Sequence, residues 1–134
     1  MDVVSTLKAQ HRMLGEIVER LGGHLAHGDA VRVRVTLEEL RRALRAHLEL
    51  EEARFYPLLQ DSPLADTAQL RPLAQSLDAL AERYGTGDFD AERFAADFNA
   101  VTRGLLARLD SEEAVLFPLY DRLVGKSGLF RRVA

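Results

Sequence analysis

The residues of this sequence whose types and spacing could carry chemistry are histidines and glutamates at helical intervals. His47 and Glu51 are four positions apart, so on a helix their side chains lie one turn apart on the same face. An imidazole nitrogen and a carboxylate that converge in this way suit iron, manganese or zinc. The pair alone is a weakly specific signal, but it indicates where a metal site would be built.

A short internal repeat connects this pair with a second part of the chain. The heptapeptides EEARFYP and EEAVLFP begin at Glu51 and Glu112 and share a Glu-Glu-Ala-x-x-aromatic-Pro pattern. Superposing the two copies sets Glu51 against Glu112 and His47 against Arg108. The repeat therefore predicts two helices that present equivalent faces, and the proline of each copy predicts a kink.

The apolar pattern predicts the helices that must position these residues. Apolar side chains recur at steps of three and four, as in helices that bury one face. The four stripes cover Val4–Leu21, Leu37–Leu58, Leu70–Tyr84 and Phe94–Leu123. The alternating segment Val31–Val35 resembles a strand, but it leads directly into a helical pattern and is interpreted as the start of the second helix.

Glycine and proline clusters separate these four segments and end the fourth one near residues 125–128. Short connections between long helices favour antiparallel neighbours. We therefore expect an all-α, up-down-up-down four-helix bundle. It forms a single domain over residues 1–134, with a C-terminal tail from about residue 126.

Ionisable residues interrupt the predicted inward stripes at a few consecutive positions only. They are His11 on the first helix, His47 and Glu51 on the second, and Arg108 and Glu112 on the fourth. An ionisable group in a helical core is costly unless it is paired or bound to a metal. We therefore expect these side chains to form one polar cluster, to which the third helix contributes only packing.

At these positions the chain resembles the hemerythrin-like, or HHE cation-binding, family. The likeness rests on His11, on the segment HLELEEARFYP from His47 and on the segment EEAVLFP from Glu112, and extends over about residues 4–124. Family members hold two non-haem irons that are bridged by two carboxylates, with histidines from all four helices. The resemblance implies that His11 and His47 are terminal ligands of one iron and that Glu51 and Glu112 are the bridging carboxylates.

The sequence departs from the family at the ligands of the second iron. Those ligands would be histidines on the third helix and at position 108, where the chain has Leu70, Pro72, Leu73 and Arg108. We therefore expect no di-iron centre, and with it neither oxygen carriage nor di-iron redox chemistry. A guanidinium is permanently charged and pairs well with carboxylates, so we expect Arg108 to substitute for the charge of the second metal.

Two interpretations of the cluster remain open. In the first, His11, His47, Glu51 and Glu112 hold one iron or zinc ion in a binding or sensing module. In the second, no metal binds, Arg108 bridges the glutamates, and the bundle is a protein-interaction or regulatory module. The first is favoured because two buried histidines would otherwise need partners. A redox enzyme is not favoured, because the second-site histidines are absent and no nucleophile–base pair is visible.

Composition limits the partners. The 134 residues, 47% hydrophobic and 29% charged, are typical of a globular domain, and a net charge of −3 does not favour nucleic acid. No apolar run reaches membrane-spanning length and the N-terminus lacks a signal-peptide core, so a cytoplasmic location without a membrane partner is expected. Cysteine is absent, which excludes thiolate ligands. His24 and His27 are interpreted as helix C-terminal residues.

Overall fold

The computed structural model describes residues 2–60, 62 and 70–133, with side chains as far as residue 125. The described residues form no strand, and the predicted all-α bundle is confirmed. Its elements are α1 (Val3–Ala26), α2 (Ala30–Arg54), α3 (Tyr56–Leu59), α4 (Leu70–Tyr84), α5 (Ala91–Ser111), a π-helical turn (Glu112–Leu116) and α6 (Phe117–Val133). Helix α2 includes the alternating valine segment, and α6 continues past the glycines where the sequence predicted its end.

Aspartates begin three of the long helices. In each helix the aspartate carboxylate accepts a hydrogen bond from the backbone N–H of the residue three positions later. The donor–acceptor distances are 2.8 Å for Asp2, 3.1 Å for Asp29 and 3.1 Å for Asp90. These bonds satisfy N–H groups that the first helical turn leaves without partners. Gly28 follows α1 with a φ of +67°, a conformation that side chains disfavour, and lets the chain reverse into α2.

The long helices enclose one apolar core. Helix α1 packs against α2 and α5, and α4 packs against the same two helices. Leucines fill most of the space between them, and those that are fully buried include Leu7, Leu14, Leu40, Leu44, Leu77 and Leu105. Burying one such side chain contributes about 1.5–3 kcal/mol.

Within the described part of the chain, no helix combines the length and hydrophobicity needed to cross a membrane.

Helix α4 supplies packing to this core. Its buried residues are Leu70, Leu77, Leu80 and Tyr84, with no histidine or carboxylate among them. Its partly buried Leu73 packs so closely on α5 that a Cβ added at Gly104 would lie 3.1 Å from Cδ2 of the leucine. A side chain at position 104 would therefore require Leu73 to shift by a few tenths of an ångström.

The first repeat copy ends α2 at a break. Phe55, with φ −117° and ψ −61°, separates α2 from α3, and Pro57 lies at the start of α3. Proline lacks an N–H and its ring clashes with the carbonyl four residues earlier, so α2 does not continue through it. The break shifts the buried face by one residue. Leu59 is fully buried, whereas Leu58, which the apolar spacing predicted to face inward, is 53% exposed.

The second repeat copy accommodates its proline without a break. The N–H of Phe117 donates to the carbonyl of Glu112, five residues earlier, which closes a π-helical turn directly before Pro118. Proline cannot donate to the carbonyl of Ala114, its partner in a regular α-helix, and the wider turn absorbs this mismatch. Such π turns are rare and often lie at functional sites. This one begins at a glutamate of the polar cluster.

Candidate metal centre

The five ionisable residues selected from the sequence lie together in the interior. His47, Glu51 and Glu112 are completely buried, whereas Arg108 and His11 are 5% and 7% exposed. They come from α1, α2, α5 and the π turn, so the cluster forms only when these elements pack together. Helix α4 contributes none of the five.

One carboxylate oxygen of Glu112 is the point where both imidazoles meet. Its Oε1 lies 2.8 Å from Nε2 of His11 and 3.3 Å from Nε2 of His47. One ligand atom from each of these three residues lies within 4.8 Å of the others. Two imidazole nitrogens and a carboxylate oxygen at such separations are a donor set that zinc or iron accepts.

Glu51 lies at the edge of this group with unused acceptor capacity. Its Oε1 is 3.0 Å from Nε2 of His47, but the contact lacks hydrogen-bond geometry. Neither carboxylate oxygen accepts a hydrogen bond from the described residues. A cation held beside a buried carboxyl group favours its ionised form, so a metal ion would be able to use these oxygens as ligands. The residues present therefore fit one metal ion.

Gln10 orients one of the imidazoles and was missed in the sequence. The Nδ1–H of His47 donates to Oε1 of Gln10 at 2.7 Å, which directs Nε2 toward the two glutamates. Hydrogen bonds of this kind set the ring orientation and tautomer of metal-binding histidines. A signal was present, because Gln10 stands three residues after Leu7 and four before Leu14, the spacing of the inward stripe.

Tyr56 is the second residue that sequence reasoning missed. Its hydroxyl donates to Oε2 of Glu112 at 3.3 Å. Burial, followed by the charges of Glu51 and Glu112, raises the pKa of Tyr56 well above its usual value, so the hydroxyl stays a donor. Tyr56 matches Phe117 in the repeat, and the hydroxyl found in only one copy was the available signal.

Arg108 faces the same carboxylate from the other side. Its Nε lies 3.7 Å from Oε2 of Glu112, and its side chain is 4% exposed. The guanidinium therefore points into the bundle, beside Glu112. Arg108 and Tyr56 approach Oε2, whereas both histidines approach Oε1.

Proximity in the cluster changes the protonation of its members. Burial alone would lower the pKa of His47, but contacts with Glu112 and Glu51 raise it to about 9. Burial also raises the pKa of Glu51, to about 8. Burial alone would also raise the pKa of Glu112, but hydrogen bonds with His11 and His47 lower it below the usual range. In the metal-free cluster a proton is thus favoured on His47 and on Glu51 and disfavoured on Glu112.

The remaining histidines lie apart from the cluster. His24 and His27 line a surface groove near the connection between α1 and α2. Nδ1–H of His27 donates to the carbonyl of Gly23 at 2.8 Å, which is the helix C-terminal role that the sequence predicted. His27 is exposed and His24 is partly buried, and their location away from the cluster makes them useful controls for the buried pair.

The sequence of the chain matches a known protein family. A family model described as the hemerythrin HHE cation binding domain matches residues 2–120. The matched range includes His11, His47, Glu51, Arg108 and Glu112. No curated protein and no solved structure is significantly similar to the chain.

Proposed function

Because this chain belongs to the hemerythrin HHE cation-binding family, we propose that it is a binding or sensing module that holds one metal ion in its core. The proposed ligands are His11, His47, Glu51 and Glu112, and the proposed ion is iron or zinc. The observation that carries the proposal is the convergence of three buried donors, since one ligand atom each of His11, His47 and Glu112 lies within 4.8 Å of the others.

A single ion is proposed because the described residues offer no second cluster of candidate ligands. The sequence has four histidines, and His24 and His27 lie at the surface groove. Helix α4 buries only leucines and a tyrosine. Arg108 lies beside Glu112, and its positive charge would balance the carboxylates where a second metal would otherwise do so.

The neighbouring residues have defined tasks in this proposal. Gln10 holds the ring of His47, while Tyr56 and Arg108 approach Oε2 of Glu112 and leave Oε1 facing the imidazoles. When bound, the metal would supply a Lewis-acidic centre. Since its ligands come from α1, α2 and the π turn, binding would tie these elements together and stabilise the folded state. The module is proposed to be cytoplasmic, with a metal ion or small molecule as its ligand.

The alternative is a metal-free bundle that acts as a protein-interaction or regulatory module. The pKa of His47 is raised to about 9 and Arg108 lies 3.7 Å from Glu112. These two cations are able to compensate the buried carboxylate of Glu112 without a metal. The same cluster would then stabilise the fold, and function would depend on the surface.

Metal stoichiometry of protein purified without a histidine tag separates the two functions. The protein is stripped with a chelator, reconstituted with Fe²⁺ without oxygen or with Zn²⁺, and analysed for metal per chain. About one ion in the wild type and none in His47→Ala supports the metal-binding module. The control is the variant with both His24→Ala and His27→Ala, which should retain the ion. A wild type that retains no ion supports the metal-free module, and two ions per chain would contradict the single-site proposal.

A further inference from the structure

A small cavity opens on the outer side of His11. It has a volume of about 160 Å³ and lies between α1 and the end of α5. Two carboxylates, one guanidinium and two leucines accompany the histidine in its lining, which consists of His11, Arg12, Leu106, Leu109, Asp110 and Glu113. The charged groups at this cavity therefore sum to one negative charge.

The ring of His11 separates this cavity from the buried centre. Nε2 lies 2.8 Å from Oε1 of Glu112 on the inner side, and Nδ1 lies 3.6 Å from Oε1 of Glu113 on the outer side. Nδ1 is buried and makes no hydrogen bond with the described residues. Among the five ionisable residues of the cluster, His11 is also the most exposed. A single side chain thus divides the centre from a cavity lined by carboxylates.

We infer that this cavity is the access route by which a divalent cation reaches the buried centre, and that Glu113 is the first residue to bind it. The inference rests on the proposed function, since it needs a centre that binds metal. It assigns to the second glutamate of the repeat a task distinct from that of Glu112.

The separation of the two outer atoms suits a transient cation site. Metal–ligand bonds to imidazole and carboxylate are about 2.0–2.2 Å long, so atoms 3.6 Å apart, like Nδ1 of His11 and Oε1 of Glu113, are able to contact one ion. Two protein donors are fewer than the buried cluster offers, so an ion held there would be bound more weakly and would move inward. Rotation of the His11 side chain opens that path toward Glu112.

The repeat supplies a matched control. Glu52 stands in the first copy where Glu113 stands in the second, and their side chains are 42% and 46% exposed. Glu52 forms an ion pair with Arg71 and lines a separate groove between α2 and α4. Loss of either glutamate removes the same charge from the surface, but only Glu113 faces the cavity.

The rate at which metal-free protein takes up a divalent ion tests the inference. Co²⁺ is mixed rapidly with wild type, Glu113→Gln and Glu52→Gln, and uptake is followed by the visible absorption of the bound ion. We expect Glu113→Gln to load about tenfold more slowly than wild type, because the substitution leaves no net charge at the cavity and electrostatic steering changes on-rates by about 10–10³-fold. The final stoichiometry should match that of wild type, and Glu52→Gln should load at the wild-type rate.

A second variant tests the access route by narrowing the cavity. Leu106→Trp places a larger side chain in the lining of the cavity, and both Co²⁺ uptake and release to a chelator should become slower. Equal uptake rates in all four proteins, or equal slowing in Glu113→Gln and Glu52→Gln, would overturn the access route while leaving the metal site intact. A wild type that binds no Co²⁺ would refute the proposed metal site itself, and the access route would fall with it.

Discussion

His11 and Glu112 are 101 positions apart in the chain, and Nε2 of one lies 2.8 Å from Oε1 of the other. The contact joins α1 to the first residue of the π turn. In an α-helix a residue five positions on lies about 140° around the axis, whereas the π turn brings Glu112 and Phe117 to the same buried side. The ring of Phe117 then stacks on His11 at a centroid distance of 5.2 Å. The irregular turn thus supplies both a carboxylate and an aromatic support to one imidazole.

Gln10 should affect metal affinity without being a ligand. Gln10→Leu removes the acceptor for Nδ1 of His47, and the loss of such a hydrogen bond weakens metal binding by about 10–100-fold. Gln10→Glu keeps an acceptor and should bind metal more tightly than the leucine variant. Competition with a chelator of known affinity measures both. An affinity of Gln10→Leu equal to that of wild type would show that the hydrogen bond does not position the ring.

Arg108 should stabilise the folded protein through its charge. Removing one partner of a buried ion pair costs about 3–5 kcal/mol, so Arg108→Ala should lower the free energy of unfolding by this amount near pH 7. Arg108→Met retains an extended side chain but lacks the positive charge, so it distinguishes the contribution of the charge to stability from that of side-chain packing. Denaturant unfolding of both variants provides the comparison. Recovery of wild-type stability in Arg108→Met would mean that the side-chain stem, rather than the guanidinium, is what matters.

A histidine at position 108 should not create a two-iron centre. Arg108→His introduces an imidazole at the position that the repeat sets against His47, but α4 still has no histidine. We therefore expect at most one iron per chain after anaerobic reconstitution. Elemental analysis beside the wild type is the measurement, and two irons per chain would require ligands outside the proposed set.

Leu77 should contribute to stability and not to metal binding. It is fully buried on α4, and truncation of such a leucine to alanine costs about 2–5 kcal/mol. Leu77→Ala should therefore unfold at lower denaturant concentration while retaining the metal content of wild type. His47→Ala is the contrasting variant, since it should lose the ion. Loss of metal from a folded Leu77→Ala protein would assign α4 a role in the centre.

Stability of the metal-free protein should fall as the pH rises above neutrality. The pKa of His47 is raised from 6.5 to about 9, so its contribution is complete below pH 6.5 and is lost as the pH rises through 9. The pKa of Glu51 is raised from 4.5 to about 8, so its contribution to stability is also lost as the pH rises, over a lower pH range than that of His47. The pKa of Glu112 is lowered, so its contribution is lost only in acid.

Thermal unfolding of chelator-treated protein between about pH 6.5 and 9 tests this dependence. His47→Ala lacks the imidazole whose pKa is raised and should show a smaller decline over that interval. A wild-type midpoint that stays constant, or a decline equally large in both proteins, would contradict the assignment of the effect to His47.

The sequence by itself determined the helical class, the family and the polar cluster. Apolar spacing is a local property, since side chains three and four residues apart share a helix face whatever the helix packs against. His11, His47 and Glu112 stood out for a related reason: ionisable groups on an apolar stripe need partners. Their common burial followed from the stripe positions, and the likeness to the HHE family agrees with the match over residues 2–120.

Only the tertiary structure decided how the two repeat copies are built and which neighbours complete the cluster. Both heptapeptides carry a proline at the seventh position, yet one copy breaks at Phe55 and the other widens into the π turn at Glu112. The shared proline imposes the same local constraint on both copies, so it does not by itself distinguish a break from a π turn. Gln10 and Tyr56 are comparable cases, because a hydrogen bond across helices depends on distances between elements that are remote in the chain. The periodicity of the sequence indicates which helix face a residue occupies, but it does not indicate how far that residue lies from a residue on another helix.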